Sequence, residues 1–454
     1  MEQLRKLAAF VGRFRLADAP AEVLAAAKAC VLDSVSVALG ARDNPLCSSV
    51  RSMVLEQYPA PAASATIWGT TRKVPIAKAA FLNGMAGHTL ELDDVHAGSK
   101  THIGTVMIPA AWAVAESLGK SGKELLEAVI CGYETMSRIG MGFGVMSHRN
   151  LGWHVTSTAG TFGAAAACGK LFGFERDQLL STFGLAGTQS FGTWAFLTGG
   201  ATNKVLHPGR SSELGLESCL LAKAGMKGSA YILDAADGGL FAMMSDKFDY
   251  DLVCKGLGEI YEILNVDKKP YPCCRSAHGS IDAAIALRNE HAIKADEVAH
   301  VTVDTYLVGY KQIGLSEGSR KPSLPTEAKF STPYVVACAL LKGSVGLDDF
   351  IPENIVREDR QNFLARVEVR PSDEFSTRYP AHWGCRMTIA MKNGEQYVKT
   401  VPDASGSVLA PLTAEQIVSK AMNCCFSYHG DTVKKLVQNL LNLEQFEQLP
   451  TLPC

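Results

Sequence analysis

"DAPAEVLAAAKACVLDSVSVALG", residues 18–40, is the stretch that decides the fold. Pro20 stands in the first turn of a helix, Gly40 is a stop signal, and apolar residues recur between them at helical spacing. Similar patterns follow up to about residue 258, in "VMIPAAWAVAESLG" (106–119), "GKELLEAVICGYETMSRIG" (122–140), "TSTAGTFGAAAACGKLFG" (156–173), "RDQLLSTFGLAG" (176–187) and "SSELGLESCLLAKAG" (211–225). Their many Ala and Gly residues allow helix axes to approach closely. The sequence therefore predicts an all-α body.

The pattern changes after about residue 266. Three segments alternate between apolar and polar residues as strands do: "VAHVTVDTYL" (298–307), "FLARVEVRP" (363–371) and "CRMTIAMKNGEQYVKTVPD" (385–403). Asn393-Gly394 within the third segment is typical of a hairpin turn. Between the first two segments, "TPYVVACALLKG" (332–343) predicts a short apolar helix. Residues 265–403 are therefore expected to form a smaller α+β domain.

The last part of the chain returns to helical periodicity, in "TAEQIVSKAMNCCF" (413–426) and "DTVKKLVQNLLNLEQF" (431–446). These helices would pack most simply on the first helical body. The predicted fold class is therefore mainly α, with a large all-helical domain built from residues 1–264 and 404–454 and an inserted α+β lid domain. A site at the junction would be covered by the inserted domain.

Composition limits the classes of partner. Of the 454 residues 47% are hydrophobic and 20% are charged, which is typical of a globular protein. Lys plus Arg number 44 and Asp plus Glu 46, so we expect no nucleic acid partner. The first residues lack the apolar core of a signal peptide, and the longest uncharged run, 178–203, is too rich in Gly and polar residues for a membrane span. The thirteen Cys fit no zinc or disulfide spacing, which favours a cytoplasmic protein with a small-molecule substrate.

The first group of candidate functional residues lies in "HTLELDDVHAGSKTH", residues 88–102, in which seven residues can ionise. The preceding helix is predicted to continue through Leu90 and Leu92, with His88 packed inside it. Three interpretations stay open from the residues alone: a metal site built from Asp93, His96 and His102, a set of general acids and bases, or a solvated polar turn. No HExxH or comparable ligand pair supports the metal site.

Two further motifs carry histidine and cationic residues. In "NLGWHVTSTAG" (150–160), His154 precedes small residues that would leave room for a ligand, although a His beside Trp is more often a core residue. In "TGGATNKVLHPGRSSELG" (198–215), a Gly-rich loop delivers Lys204, His207 and Arg210 to a helix expected to start at about residue 211. Cations at a helix start suit an anionic substrate, although ordinary surface cations would look the same.

A second cationic cluster lies at the predicted domain boundary, in "VDKKPYPCCRSAHGSIDAAIAL" (266–287). It contains Lys268, Lys269, Arg275 and His278, next to Cys274, a possible but weakly supported nucleophile. Together the motifs supply lysines, histidines and a carboxylate pair, and no Rossmann or P-loop fingerprint. This inventory supports proton transfer beside a carboxylate, where a base takes the proton and fixed cations hold the developing charge.

The chain resembles the MmgE/PrpD family, which includes 2-methylcitrate dehydratases, cis-aconitate decarboxylases and iminodisuccinate epimerases. The resemblance rests on "GMAGHTLELDDVHAGSKTHIG" (84–104), "GWHVTSTAGTFGAAAACGKLFG" (152–173), "NKVLHPGRSSELG" (203–215), "KKPYPCCRSAH" (268–278) and "EAKFSTPYVVACALLKG" (327–343). It implies a homodimer that works without cofactor or metal. The catalytic residues it implies are His102, His154, Lys204, Asp93 and Lys269, with both histidines in acid-base roles. The expected substrate-binding residues are Lys269, Arg275, Tyr334, His207, Asp94 and Cys274.

Three positions depart from the decarboxylase members of that family. Those members tend to carry Asp in place of Glu91, Thr in place of Val95 and His near the position of Cys274. The leading hypothesis is therefore a cofactor-independent hydro-lyase similar to 2-methylcitrate dehydratase, which removes a proton alpha to a carboxylate of a di- or tricarboxylic acid. A decarboxylase or an epimerase on the same scaffold is the alternative. A metal-dependent hydrolase and a non-catalytic helical scaffold are the hypotheses from other classes.

Overall fold

Two hydrophobic cores organise the chain in the computed structural model, which describes residues 2–197 and 200–454. The first core contains buried apolar side chains from Leu4 to Val266 and again from Ala421 to Leu443. The second core runs from Cys273 to Met391. The predicted mainly helical class with a small sheet is confirmed. The domain boundaries at 264/265 and 403/404 stay predictions.

The first body is built almost entirely of helices. From the first part of the chain these are Glu2–Arg13, Ala21–Gly40, Pro45–Gln57, Ile76–Thr89, Gly104–Leu118, Gly122–Gly142, Val145–Asn150, Val155–Thr158, Gly160–Leu171, Arg176–Gly187, Leu206–Lys223 and Leu240–Met244. Ala414–Cys424 and Gly430–Leu441 join them from the other end of the chain. A two-stranded sheet of Ser64–Thr66 and Lys73–Pro75 lies beside them.

The second helix, Ala21–Gly40, connects the two ends of the chain through its packing contacts. It packs against both C-terminal helices, and a Cβ atom at Gly40 would lie 2.6 Å from the carbonyl oxygen of Cys424, so only Gly permits this approach. The helix is long and apolar enough to cross a membrane, but 67% of its most apolar window is buried, which suits a core helix. Asp33 within it pairs with Lys420 at 2.6 Å.

The second core lies beneath a four-stranded sheet. Its strands, in spatial order, are Val367–Pro371, Val298–Thr305, Cys385–Met391 and Gln396–Val401. The first pair is parallel and the other two pairs are antiparallel, with the predicted Asn393-Gly394 turn joining the last two strands. The helices of this part are His278–Glu290, Leu307–Ile313, Glu317–Arg320, Pro325–Lys329, Thr332–Lys342, Pro352–Ile355, Glu358–Leu364 and Asp373–Arg378.

Two features of the backbone position the candidate site. Val95–His96 pairs with Val266–Asp267, which ties the loop after the fourth helix to the entry of the second core. The prediction that this helix continues through Leu92 is wrong, because it ends at Thr89 and Glu91 adopts a φ of 55°. Such a left-handed conformation is uncommon for a residue other than Gly, and strained backbone of this kind clusters at active sites and ligand clamps.

Candidate active site

A cavity lies between the two cores, with an empty volume of about 750 Å³ including its mouth. The part of the chain around the second core, called the lid below, contributes Phe330, Tyr379 and Trp383 to its wall, and the helical body contributes Trp153 and Trp194. Six of the residues predicted from sequence line this cavity: His102, His154, Lys204, Lys269, Cys274 and Arg275. Of the motif 198–215, Thr198 and Gly199 lie outside the described residues.

The inner wall is an ionic trio of Glu91, Lys204 and Lys269. Lys204 Nζ forms a short ion pair with Oε1 of Glu91, and Lys269 Nζ donates to the Glu91 carbonyl oxygen at 3.0 Å and lies 3.4 Å from Oε2. Burial alone would raise the pKa of Glu91, but the two ammonium groups hold it well below its usual range. Two positive charges thus face one negative charge, and an incoming carboxylate would balance the excess.

His102 is arranged as a base. Its Nδ1 lies 2.9 Å from the carbonyl oxygen of Asp94 and 3.2 Å from Oδ2 of Asp93. Both oxygens can only accept, so Nδ1 carries the proton and Nε2 keeps its lone pair. Burial lowers the pKa of His102 to about 4, which leaves the imidazole neutral at pH 7.

His88 supports this arrangement from behind. Its Nδ1 lies 2.7 Å from the same Oδ2 of Asp93, and its ring centroid is 4.7 Å from that of His102. His88 is buried within the helix, as predicted, and its side chain also holds the Asp93 carboxylate. Asp93 itself is buried and does not line the cavity, so it positions His102 instead of contacting the substrate.

His154 forms a pair with His207. The two Nδ1 atoms are 2.8 Å apart, so one of them donates and the other accepts. Burial lowers the pKa of His154 well below its usual range and that of His207 to about 4, so both rings are neutral. When His207 donates, His154 carries its own proton on Nε2 and can donate it towards the cavity. His207 does not line the cavity, and its predicted contact with substrate stays a prediction.

Two further residues predicted to contact substrate, Asp94 and Tyr334, do not line the cavity either. Asp94 is buried and accepts hydrogen bonds from the Tyr133 hydroxyl and, at 3.0 Å, from the Gly104 amide. Tyr334 is buried in the second core, where its hydroxyl donates to the Asp349 carbonyl oxygen and accepts from Arg360 at 2.6 Å. Neither side chain reaches the cavity.

Arg275 and Cys274 contribute differently to the wall. Arg275 Nε donates to Asp267 Oδ2 at 3.0 Å, Nη2 donates to the Ala404 carbonyl oxygen, and Nη1 is buried without a described partner. It can therefore donate one further hydrogen bond to a ligand. Burial raises the pKa of the Cys274 thiol, which argues against a thiolate nucleophile at this position.

The residues fit a metal site poorly. His96, one of the three predicted ligands, is turned away: its Nδ1 lies 2.8 Å from Ser99 Oγ and its Nε2 lies 3.0 Å from Glu262. A different trio, His88, Glu91 and His102, has ligand atoms within 4.8 Å of one another. However, both carboxylate oxygens of Glu91 already face the ammonium groups described above, and such cations would repel a metal ion.

Two cationic side chains at the mouth of the cavity, Arg149 and Lys100, are not among the predicted site residues. Arg149, from the helix Val145–Asn150, places its guanidinium carbon 4.1 Å from the ring centroid of Trp194. Lys100 Nζ lies 4.1 Å from the ring centroid of Trp383, and burial lowers the pKa of this lysine to about 7. Arg149 stands five residues before His154, so proximity to that motif is the signal that could have identified it.

Comparison with known proteins identifies the family of the chain. Sequence models of the MmgE/PrpD N-terminal and C-terminal domains match residues 5–253 and 271–443. The chain is 27% identical to the cis-aconitate decarboxylase-like protein oryM of Aspergillus oryzae, over 97% of this chain and 94% of the relative. It is 26% identical to cis-aconitate decarboxylase of Aspergillus terreus (96% and 92%) and 27% identical to that of Homo sapiens (86% and 81%). The chain belongs to the MmgE/PrpD family and is an enzyme of the lyase class.

Proposed function

We propose that the protein is a cofactor-independent hydro-lyase that removes a proton alpha to a carboxylate of a di- or tricarboxylic acid. The observation that carries the proposal is a neutral His102, with Nε2 free of described partners, in the same cavity as Lys204 and Lys269. A neutral base beside an excess of buried positive charge suits the formation of an enolate-like carboxylate.

In the first step, Nε2 of His102 takes the proton from the α-carbon of the substrate. The electron pair of the broken C–H bond moves into the neighbouring carboxylate, which gains negative charge. Lys204 and Lys269 stabilise this charge, since the trio with Glu91 is one positive charge in excess. Asp93 and the Asp94 carbonyl hold the Nδ1 proton while the ring becomes an imidazolium.

In the second step, the electron pair returns to form a C=C bond, and the hydroxyl on the β-carbon leaves with a proton as water. His154 is the proposed acid, because its Nε2 carries a proton whenever His207 donates through Nδ1. The His154–His207 pair, joined by the 2.8 Å contact, has then lost one proton, and His102 has gained one from the α-carbon. Return of the His102 proton to the pair through solvent after product release restores the neutral rings.

Decarboxylation is the second candidate, favoured by the names of the relatives. In that reaction the C–C bond to a carboxylate breaks, carbon dioxide leaves, and the electron pair remains on carbon next to another carboxylate. The lysine pair would stabilise the same kind of charge, and a protonated His102 would return a proton to carbon. Glu91, Val95 and Cys274, which differ from decarboxylase members of the family, count against this alternative.

Solvent exchange tests the shared proton transfer. The protein is incubated in deuterium oxide with citrate, 2-methylcitrate, cis-aconitate and methylsuccinate, and each acid is examined by NMR. We expect deuterium at the α-carbon of at least one acid, and water loss or carbon dioxide release then identifies the second step. His102→Ala should abolish the exchange, whereas His300→Ala, a change of an exposed histidine on the lid, should preserve it. Absence of exchange from every acid would overturn the proposal.

Independence from cofactors, a homodimeric state and a cytoplasmic location are further predictions implied by the resemblance and composition. Elemental analysis of purified protein tests the first of these. Stoichiometric zinc, manganese or iron, removed by a chelator together with activity, would overturn the cofactor-free mechanism. Light scattering at micromolar concentration gives the oligomeric state.

A further inference from the structure

Arg149 differs from the other arginine and lysine residues that line the inner cavity. Lys204 and Lys269 share Glu91, and Arg275 pairs with Asp267. Across residues 2–197 and 200–454, Arg149 forms no ion pair with a carboxylate, and its Nε atom is buried without a hydrogen-bond partner. The cavity therefore contains a half-buried guanidinium whose charge the protein itself does not balance.

The surroundings of Arg149 hold the guanidinium while leaving its polar edge free. The carbon of the group lies 4.1 Å from the ring centroid of Trp194, close enough for a cation–π contact. A guanidinium held on an aromatic ring still directs its N–H groups outward in the plane, the geometry that accepts a carboxylate with two hydrogen bonds. Leaving such donors unsatisfied in a buried site is unfavourable.

Lys100 is the other cation at the mouth, but its donors are already engaged. Its Nζ donates to the carbonyl oxygens of Ala97 and, at 3.4 Å, Pro380, and it lies over the ring of Trp383. It links the loop of the helical body to the lid. Arg149, in contrast, has its polar edge available for a ligand.

We propose that Arg149 binds a second carboxylate of the substrate, remote from the carbon that loses its proton. The reacting carboxylate lies at Lys204 and Lys269, and the remote one lies at the guanidinium beside Trp194. This inference rests on the proposed function for the identity of the reacting end, and it makes the substrate a dicarboxylic acid at minimum. Arg149 is then a specificity-determining residue that selects against monocarboxylic acids.

A remote anchor has a kinetic signature that differs from that of the acid-base groups. Hydrogen bonds to a charged partner that are equally strong in the ground and transition states lower KM and leave kcat almost unchanged. We therefore expect Arg149→Gln to raise KM by about 10- to 100-fold, the range for loss of charged hydrogen bonds, with kcat within about threefold of wild type. A purely structural role would lower kcat and thermal stability together.

The decisive test is a thermodynamic cycle in binding, which needs no turnover. Titration calorimetry measures the Kd of tricarballylate and of its terminal monoamide for wild type and for Arg149→Gln. We expect the monoamide to bind wild type about 10- to 100-fold more weakly than tricarballylate, and the two ligands to bind the variant within about twofold of each other. Arg176→Gln, a change of an exposed arginine paired with Asp177, should retain the wild-type difference.

Equal discrimination by wild type and Arg149→Gln would overturn the inference, as would failure of wild type to bind tricarballylate at millimolar concentration. If the Gln variant does not fold, Arg149→Lys replaces it, and retention of the full wild-type discrimination by that variant would overturn the two-bond geometry. Loss of discrimination in the variant, together with no deuterium exchange into any acid, would support the anchor and refute the proposed reaction.

Discussion

Opposite charges are buried in both cores, and one cluster from each can be compared. In the first body, Glu91 lies between Lys204 and Lys269, and in the second core Arg360 pairs with Asp349 at 2.7 Å. Burial of charge is therefore no guide to function by itself. The two clusters differ in whether their hydrogen-bonding capacity is complete and whether they reach the cavity.

The lid cluster is saturated. Arg360 donates to the Tyr334 hydroxyl and to both a carboxylate and a carbonyl oxygen of Asp349, whose other carboxylate oxygen accepts from Gly346 and Lys342 at 2.8 Å each. The trio around Glu91 instead keeps an excess positive charge beside the cavity, with Glu91 in a left-handed conformation. An incomplete and strained cluster is the one that can respond to a ligand.

The largest expected effect is on turnover when the base is removed. His102→Ala should lower kcat by a hundredfold or more, within the range of about 10²–10⁴ for one acid-base group. Measurement of kcat with the acid that exchanges deuterium, together with circular dichroism, separates chemistry from folding. Near-normal turnover in a folded variant would remove His102 from the catalytic residues.

Lys204→Ala tests the trio directly. Removal of this ammonium leaves Lys269 opposite Glu91 and cancels the excess charge, so we expect kcat to fall by about a hundredfold or more. Lys329→Met is the matched control, since this neighbouring half-buried lysine donates to the Thr89 carbonyl oxygen and does not line the main cavity. Similar losses in both variants would show a general loss of packing.

Arg360→Met should act on stability alone. The substitution removes the arginine partner of Asp349 but leaves Lys342 at 2.8 Å, so the loss of charged hydrogen bonds should cost about 3 kcal/mol of unfolding free energy. Urea denaturation measures the loss, and kcat of the folded fraction should stay within about twofold of wild type. A large fall in kcat would contradict the division between the two clusters.

Tyr334→Phe also tests whether the cluster in the second core affects stability and not turnover, and it removes only one hydroxyl group. The hydroxyl joins Arg360 to the Asp349 carbonyl oxygen, so its removal should cost about 1–3 kcal/mol of stability, with turnover unchanged. The resemblance to the family placed Tyr334 in the pocket, and this variant decides between that placement and the structural one. A tenfold loss of kcat without a loss of stability would favour the pocket.

Periodicity predicted the elements of the fold better than their ends. Alternation identified the strands of the sheet, and helical spacing identified the helix Ala21–Gly40. It failed after Thr89, where apolar residues continue the helical pattern but the helix stops. The end of the helix coincides with a non-local contact, in which the Glu91 carbonyl oxygen accepts from Lys269, 178 residues further along the chain. The spacing of residues near Thr89 carries no information about a hydrogen-bond partner so distant in sequence.

The same limit explains which site residues were predicted. His102 and Lys204 belong to motifs whose residue types indicate chemistry, and both line the cavity. His88 was missed because its role depends on sharing Asp93 with His102, and Arg149 because its role depends on Trp194 and on having no carboxylate partner. Pairings that arise only in the folded chain have no signature in composition or spacing.

The smallest expected effect is on the pH dependence of kcat/KM, which should change little as the pH falls from 6.5 to 5. Burial lowers the pKa of His102 to about 4, so the neutral base should decrease by only ~10% between pH 6.5 and 5, against ~15-fold for a histidine of ordinary pKa. The folded state favours the neutral ring, so the contribution of His102 to stability is present above pH 6.5 and is lost as pH falls towards 4.

Stopped assays at pH 6.5, 6.0, 5.5 and 5.0, with circular dichroism at each pH, measure this profile. Burial also raises the pKa of Asp94 to about 6, within the same window, but its carboxyl group faces Tyr133 and Gly104 and not the cavity. Asp94→Asn should therefore keep the flat profile. A tenfold decline of kcat/KM in protein that remains folded would mean that His102 titrates as an exposed imidazole, and the inner wall would then resemble a solvated surface cluster.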